Sequence, residues 1–306
     1  MSSLFEEIAA NAATLDANPE FPTAAMAALA KLEVPSTRGE EWALVRRVAR
    51  ADGSVGRIFE GHLNAKERLR LDGIDPKDHW LGVWGADPGP NEGEPAHILN
   101  DELHGTKVFC SGAGGLTGAL VIAKGTLVYV DLTEDVEVDR SWYRGQGMRA
   151  SESHRVHFHG ARIIETLTPL TTEPYLSGDA IRTAAAWAGI VDSAVDSALA
   201  QLKDDDLRAH AAGRLTVAQM TIDRWFEHAA VADDLTQVAI PLRQAVAEAG
   251  ATVMTEAARA TGSRPFATGT ALDRARRDFE LFVLQHRLDP LVTRLGRQRI
   301  EQAQNH

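Results

Sequence analysis

Between Trp80 and Arg162 the sequence loses the helical period that governs it on both sides, and this change of period limits what the chain can become. Helices need apolar positions three and four residues apart, strands need every second one, and a segment written for one cannot serve as the other. Residues 81–86 form a short apolar run, followed by Asp87-Pro88-Gly89-Pro90-Asn91-Glu92-Gly93, a loop by every breaker signal. Three candidate strands come next, at 107–111, 119–123 and 127–131, separated by turns at 112–115 and Lys124-Gly125. Beyond the tight loop at 145–149, Arg155-Val156-His157-Phe158-His159 alternates, with Val156 and Phe158 on one face. Short strands at this spacing predict a small antiparallel sandwich or barrel. At its centre lies Gly105-Thr106-Lys107-Val108-Phe109-Cys110-Ser111-Gly112-Ala113-Gly114, an extended apolar stretch between glycine-rich turns.

The flanking blocks are helical. Residues 3–33 are rich in Ala, Leu and Glu and broken at Pro19 and Pro22, which predicts two short helices. Trp42, Leu44, Val45 and Val48 mark a helix over 40–50, and Ile58, Leu63, Ala65 and Leu69 mark another after the Asp52-Gly53 turn. His62 lies within that second helix and reads as a packed or hydrogen-bonded histidine more than a ligand. In the last third, Ser177-Gly178-Asp179 reads as an N-cap ahead of a stripe from Ile181 to Leu202. Further helices are expected over 216–232, over 235–260, and from Ala271 onward after the loop at 260–269. On the last of these, Leu272, Ala275, Phe279, Phe282 and Val283 form a stripe that His286 extends, so His286 is expected to face the interior. The neighbouring Arg274, Arg276 and Arg277 read as solvated partners of Asp273 and Asp278. Four long helices with short connections predict an antiparallel bundle. The expected division is a helical domain at 1–79, a β domain at 80–172 and a helical bundle at 173–306, an α+β chain.

At 306 residues the chain exceeds the usual single core, and 44% apolar residues suffice to fill more than one. A net charge of -11 argues against nucleic acid as a partner. Cys110 is the only cysteine, which excludes intramolecular disulfides and Cys-rich metal sites. His157 and His159 share a strand face and, with His154, read as polar residues on an exposed face rather than as a metal site. With no basic-then-apolar leader and no membrane-length apolar run, the expectation is a soluble, cytoplasmic protein with no membrane partner.

Helical, then β, then bundle is the order of the acyl-CoA dehydrogenase superfamily, and four stretches resemble its landmarks in the right sequence. Ala86-Asp87-Pro88 resembles the Thr-Glu-Pro that opens its middle domain. Residues 103–111 resemble its L-x-G-x-K strand. Gly147-Met148-Arg149-Ala150-Ser151 with 156–163 resembles its G-x-R-x-S segment and the strand after it. Gly262-Ser263 and Arg277-Asp278 resemble its last-helix region. The resemblance implies FAD held by the β domain together with the C-terminal bundle. Phe109 would stand beside the flavin ring, Ser111 would supply the hydroxyl near its reactive nitrogen, and Trp84, Ala86, Cys110, Gly262 and Ser263 would complete the cofactor set.

The implied activity is α,β-dehydrogenation of a small acyl-CoA-like substrate, with hydride passing to FAD. A homodimer or homotetramer and an electron-transfer flavoprotein as redox partner belong to the same implication. The sequence departs from the family in three ways. The position of the glutamate base falls on His286, a histidine such as a flavin monooxygenase branch of the superfamily also uses. Lys203-Asp204-Asp205-Asp206 stands where an R-x-x-F-G segment would reach FAD, and those acidic residues would repel a pyrophosphate. The N-terminal domain is shorter than the family's. A flavin monooxygenase and a non-catalytic scaffold are therefore the alternative readings.

Overall fold

The computed structural model describes residues 3–76, 79–203, 205–285 and 287–305. In chain order the elements are α1 (Leu4–Ala17), α2 (Thr23–Leu29), α3 (Arg38–Ala51), α4 (Gly53–Leu71), β1 (Leu81–Trp84), β2 (His97–Leu99), β3 (Glu102–Cys110), β4 (Gly118–Ala123), β5 (Thr126–Asp131), β6 (Val136–Asp139) and β7 (His154–Leu167). The helices α5 (Tyr175–Leu199), α6 (Asp206–Val231), α7 (Ala239–Thr261), α8 (Arg264–Ala267), α9 (Ala271–Phe282) and α10 (Asp289–Gln304) follow. By packing, the chain divides into two units: Met1–Leu32 with Ser54–Leu176, and Glu33–Gly53 with Ser177–His306. Helix α3 thus groups with the C-terminal helices and α4 with the strands, the division falling at the Asp52-Gly53 turn.

In the first unit seven strands form one sheet in the order β1-β4-β5-β7-β3-β2, with β6 also paired to β7. The 14-residue β7 carries the sheet: its first part pairs with β3 and β6, its last residues with β5. Pairing between the strands is antiparallel except between β1 and β4, which run parallel, the long connection through β2 and β3 supplying the crossover that a parallel pair needs. Against this sheet α4 sets Ala65 and Leu69, which pack with Leu81, Leu120, Leu127, Tyr129 and Leu167. Each fully buried leucine there contributes roughly 1.5–3 kcal/mol relative to an exposed one. The short strands β2 and β6 were not expected from the sequence, since three or four residues with mixed exposure leave no readable alternation.

The second unit is built around α5. Ile181, Ala184, Trp187, Ala188, Ile190, Val191, Ala194 and Ala198 are each at most 1% exposed. A helix buried on every side must admit close neighbours, and its alanines and Gly189 do so. A Cβ on Gly189 would lie 2.2 Å from the Arg46 carbonyl oxygen, so α3 and α5 touch through backbone. Arg46 locks the contact, bonding both Asp192 oxygens at 2.6 and 2.8 Å and Asp223 of α6 at 2.7 Å.

Several helix boundaries differ from the expectation. α5 starts at Tyr175, directly after Pro174, so Ser177-Gly178-Asp179 lies inside the helix instead of capping it. Proline has no N–H to leave unsatisfied where a helix begins, which moves the start forward. α6 begins ten residues before Thr216, because the Asp205 side chain caps it by accepting from the Arg208 N–H at 3.0 Å. The acidic run is therefore a helix start, where negative charge meets the positive end of the helix dipole. α9 ends at Phe282 in a single 3-10 turn, and α10 follows with no buried residue of its own, hence without a stripe to read. His286, expected to prolong the α9 stripe, lies outside the described residues. No helix among the described residues is long and apolar enough to cross a membrane.

The α3–α5 contact gives a direct test. Gly189→Ala forces a methyl into backbone and should destabilise the fold by about 1–3 kcal/mol, read as a lower urea midpoint. Gly213→Ala, where an added Cβ meets nothing within 4 Å, should be neutral or stabilising. Equal midpoints for the two variants would contradict the close approach.

Candidate functional site

The site is organised by a bulge. In the pairing of β3 with β7, Lys107 faces Val156 and Cys110 faces His154, so Val108 and Phe109 together oppose Arg155. Phe109 takes a left-handed backbone with φ 53°, unusual for a bulky side chain. The two-residue alternation stops there. Thr106, Lys107 and Val108 are all buried, Phe109 is 41% exposed, and Cys110 and Ser111 turn inward again. The bulge thus aims one aromatic ring outward from the end of a buried strand. That ring meets Trp142 in a T-shaped contact at 4.9 Å between centroids. Trp142 is in turn fixed by its N–H bond to Glu92 at 2.8 Å, and Glu92 by the Gly89 N–H at 2.7 Å. The Trp142 bond, with Gly89 second, holds the Glu92 carboxyl below the usual carboxylate range. The glycine- and proline-rich loop at 87–93 therefore positions an aromatic pair.

The residues expected around Phe109 are placed as follows. Trp84 ends β1 fully buried, and its indole N–H donates to the Ser111 carbonyl at 3.1 Å. Its work is to hold the Ser111 backbone, since it presents no open face. The Ala86 carbonyl accepts from the Val108 N–H at 3.2 Å, which ties the loop after β1 to β3. Lys107, wholly buried, reinforces that tie through the Gly85 carbonyl at 3.0 Å and Asp87 at 2.7 Å. Cys110 is wholly buried and burial pushes its thiol up, so only its backbone can serve a ligand. Gly262 and Ser263 belong to the other unit, where Gly262 ends α7 with φ 76° and Ser263 precedes α8. In that unit Arg277 pairs with Asp273 at 2.8 Å, and Asp273 and Asp278 are buried, so these pairs are less solvated than the sequence implied.

Ser111 sits in a network that sequence reasoning missed. Its Oγ accepts from Arg57 Nε at 3.2 Å and lies 2.9 Å from Ser153 Oγ. Ser153 Oγ is 2.7 Å from Ser151 Oγ, which donates to the Met148 carbonyl at 2.7 Å. Arg57 also bonds Glu60 at 2.5 Å, and Asn64 bonds the other Glu60 oxygen at 3.1 Å. The i, i+3 and i, i+4 spacings within α4 were visible in the sequence, but nothing linked them to residues 50 to 90 positions away. Met148 and Glu152, like Phe109, hold left-handed backbones, at φ 53° and 49°. Three such non-glycine residues on two adjoining segments, at roughly 1–3 kcal/mol each, mark a shape that the surrounding packing imposes.

The histidines separate. His154 is buried beside Glu152, 3.3 Å away, and so is not on an exposed face as expected. By the two-residue alternation of β7 it stands on the buried face with Val156 and Phe158, opposite the face that His157 and His159 share. His157 bonds Thr106 Oγ1 at 3.0 Å, and the exposed His159 lies 3.3 Å from Glu137. Among the described residues no three metal-ligating side chains come close enough to hold an ion. His62 is buried, accepts from the Leu81 N–H at 3.2 Å and packs on Trp80 at 4.2 Å. It is the packed, hydrogen-bonded histidine that the sequence favoured. Burial, followed by the charges of Lys66 and Arg70, lowers its pKa to about 3.

With the β3 bulge and the two units described, the architecture can be compared with solved proteins. It is similar in fold to a methanesulfinate monooxygenase. MsuC from Pseudomonas fluorescens matches over 98% of this chain and 95% of its own, with a TM-score of 0.80 at 20% identity. FkbI, of methoxymalonyl extender-unit biosynthesis for the polyketide Fk520, matches over 97% and 98% with a TM-score of 0.82 at 17% identity. FMN-bound TdsC from Paenibacillus sp. A11-2 matches over 98% and 96% with a TM-score of 0.77 at 17% identity. No family model and no curated protein matches the sequence. Identities this low establish the fold alone.

His62 predicts a pH dependence. Above pH 6.5 the imidazole is neutral in both the folded and unfolded states. Below that the unfolded chain takes a proton that the folded one refuses until about pH 3. Stability from this group is therefore complete above pH 6.5 and lost on acidification through the window, by at most about 1.4 kcal/mol per pH unit. Denaturant unfolding of His62→Gln should show a shallower fall between pH 6.5 and 4.5 than the parent protein. Parallel curves would refute the neutral, buried assignment.

Proposed function

We propose that the chain is a flavin-dependent oxidoreductase that works with dioxygen, a monooxygenase of this fold. The observation that carries the proposal is the outward Phe109 ring with the Ser111 hydroxyl two residues on, at a strand end fixed by Trp84, Lys107 and Trp142. A flat ring system with alternating donors and acceptors suits an exposed aromatic surface beside a hydroxyl and backbone groups. The solved likenesses support the oxygen-using form, since they include a methanesulfinate monooxygenase and a TdsC described as a dibenzothiophene monooxygenase. Dehydrogenation of an acyl thioester gains no support from them.

FMN suits this chain better than the FAD expected from the resemblance. The segment that would reach a pyrophosphate is the acidic start of α6, with Asp205 engaged as its cap, whereas FMN carries no pyrophosphate. When bound, the flavin would supply electrons and, once reduced, activate dioxygen. The chain's own part is to support the ring at Phe109, to meet its edge at Ser111 and to keep both in place through buried Trp84. On sequence grounds His286 is proposed to move the proton that such a reaction requires.

The purified protein should bind FMN, seen as a change in flavin fluorescence, with Phe109→Ala weakening it roughly two- to tenfold, the worth of an aromatic contact. Supplied with reduced FMN in air, the protein should oxygenate a thioether or sulfinate probe, while acyl-CoAs added anaerobically should leave the bound flavin yellow. Bleaching by an acyl-CoA would restore the dehydrogenase reading; failure to bind any flavin would leave the scaffold reading. Under this proposal His286→Ala keeps flavin affinity and loses oxygenation, and full activity in that variant would remove His286 from the mechanism.

A further inference from the structure

Helices α1 and α2 meet along faces that their own side chains do not fill. On α1 the positions Leu4, Ile8, Asn11 and Leu15 recur at the helical spacing and share one side. On α2 the residues that meet this side are Ala24, Ala25 and Ala28. An alanine side chain ends at Cβ, so three of them in place of larger residues leave open a space that close packing would otherwise occupy. What remains is a cleft of about 420 Å³, within the range of roughly 300–1,000 Å³ typical of small-molecule sites. Ile8 and Val55, at 3% exposure and none, line its buried part.

The walls of the cleft are fixed in advance. Phe21, in the link between the two helices, lines it. A Cβ on Gly115 would lie 2.3 Å from the Phe21 ring, so the ring rests on bare backbone of the turn at 112–115. Helix α1 packs against the 3-10 turn Arg149–Ser151. Its start is held by a capping box, with the Glu6 N–H donating to Ser3 Oγ at 3.4 Å and the Ser3 N–H donating to the Glu6 carboxylate at 2.7 Å. A cleft ordered before its ligand arrives loses little freedom on binding.

The charged residues at this cleft are of one sign. Glu7 and Glu20 both line it and both are exposed, and no Lys, Arg or His is among its described lining residues. Glu6 is engaged by the capping box, whereas Glu7 and Glu20 form no ion pair among the described residues. Asn11 turns its amide nitrogen back to the Glu7 carbonyl at 3.0 Å. An anion entering the cleft would meet two carboxylates, and an ammonium group would be matched by them.

We propose that the α1–α2 cleft is a binding site for a small aromatic amine. Leu4, Leu15, Phe21 and the three alanines hold the ring, and Glu7 and Glu20 take the ammonium group. The site is distinct from the strand end at Phe109 and Ser111, and it takes its ligand with or without a flavin.

The test is calorimetric titration of the full chain with three probes that share a naphthalene ring and carry an aminomethyl, a hydroxymethyl or a carboxylate group. The amine should bind about two- to fivefold more tightly than the alcohol, the worth of an exposed charge pair, and the carboxylate should bind least. In about 1 M salt the three affinities should converge, because exposed charges are then screened. Ala25→Leu and Ala28→Leu each place three carbons in the cleft and should lower affinity for the amine about tenfold or more. Leucine is nearly as good a helix former as alanine, and circular dichroism should show both variants folded. Ala27→Leu, on an exposed position of α2 outside the cleft, should leave binding unchanged. Glu7→Gln and Glu20→Gln should each narrow the margin of amine over alcohol. Binding of none of the three probes, or amine binding that survives both Ala25→Leu and Ala28→Leu, would overturn the site. A carboxylate bound as tightly as the amine would overturn the ligand class.

Discussion

The bulge between β3 and β7 is the constraint on which the candidate site depends. One extra residue on β3 forces Phe109 into a left-handed backbone and reverses the burial pattern within two residues. Without it, Lys107, Phe109 and Ser111 would share one face by two-residue alternation. With it, Lys107 is drawn beneath the loop after β1, Phe109 is expelled, and Ser111 is turned toward Arg57 and Ser153. The unfavourable backbone persists because both sides of the bulge are pinned: Trp84 holds the Ser111 carbonyl, and the Val108 N–H bonds Ala86. A strained conformation that packing over-determines in this way is characteristic of a working site.

Around this centre, polar groups are handled in two distinct ways. Buried charges are neutralised in place, as with Lys107 and Asp87, Arg57 and Glu60, or Arg46 between Asp192 and Asp223. Such pairs contribute little net stability, but they fix geometry, because separating them would strand a charge in a poorly solvated place. The serine chain is neutral and is ordered by proton count alone. Its direction is set at the far end by a backbone carbonyl that cannot donate and at the near end by a guanidinium that cannot accept. The second unit is organised by shape. An alanine-rich helix with Gly189 at the crossing lets α3 approach α5 to backbone contact, and the Arg46 network closes over that approach.

Much of this was legible in the residues. The change of period near Trp80 separated strands from helices, the breaker loops fell where loops occur, and the Lys107–Ser111 segment was recognisable as extended between turns, although Phe109 within it is exposed. His62 was correctly read as a packed histidine, because a helical His between apolar neighbours has few other fates. The strand-pairing bulge was not legible, since its extra residue exists only relative to a partner about 45 positions away. His154 was grouped with His157 and His159 although the two-residue parity of the strand puts it with Val156 and Phe158, whereas Arg57, Glu60, Ser151 and Ser153 carried no sign of their convergence on Ser111.

By itself, then, the sequence determined most of the division into helical and extended segments and where the main turns fall. These properties depend on neighbours within a few residues, through periodicity, capping and the backbone limits of glycine and proline. Only the tertiary structure decided which way Phe109 points, which serine donates to which, and that α3 packs with the C-terminal helices while α4 packs with the sheet. Those properties depend on pairing register and on proton counts among groups distant in the chain, and no local pattern encodes either.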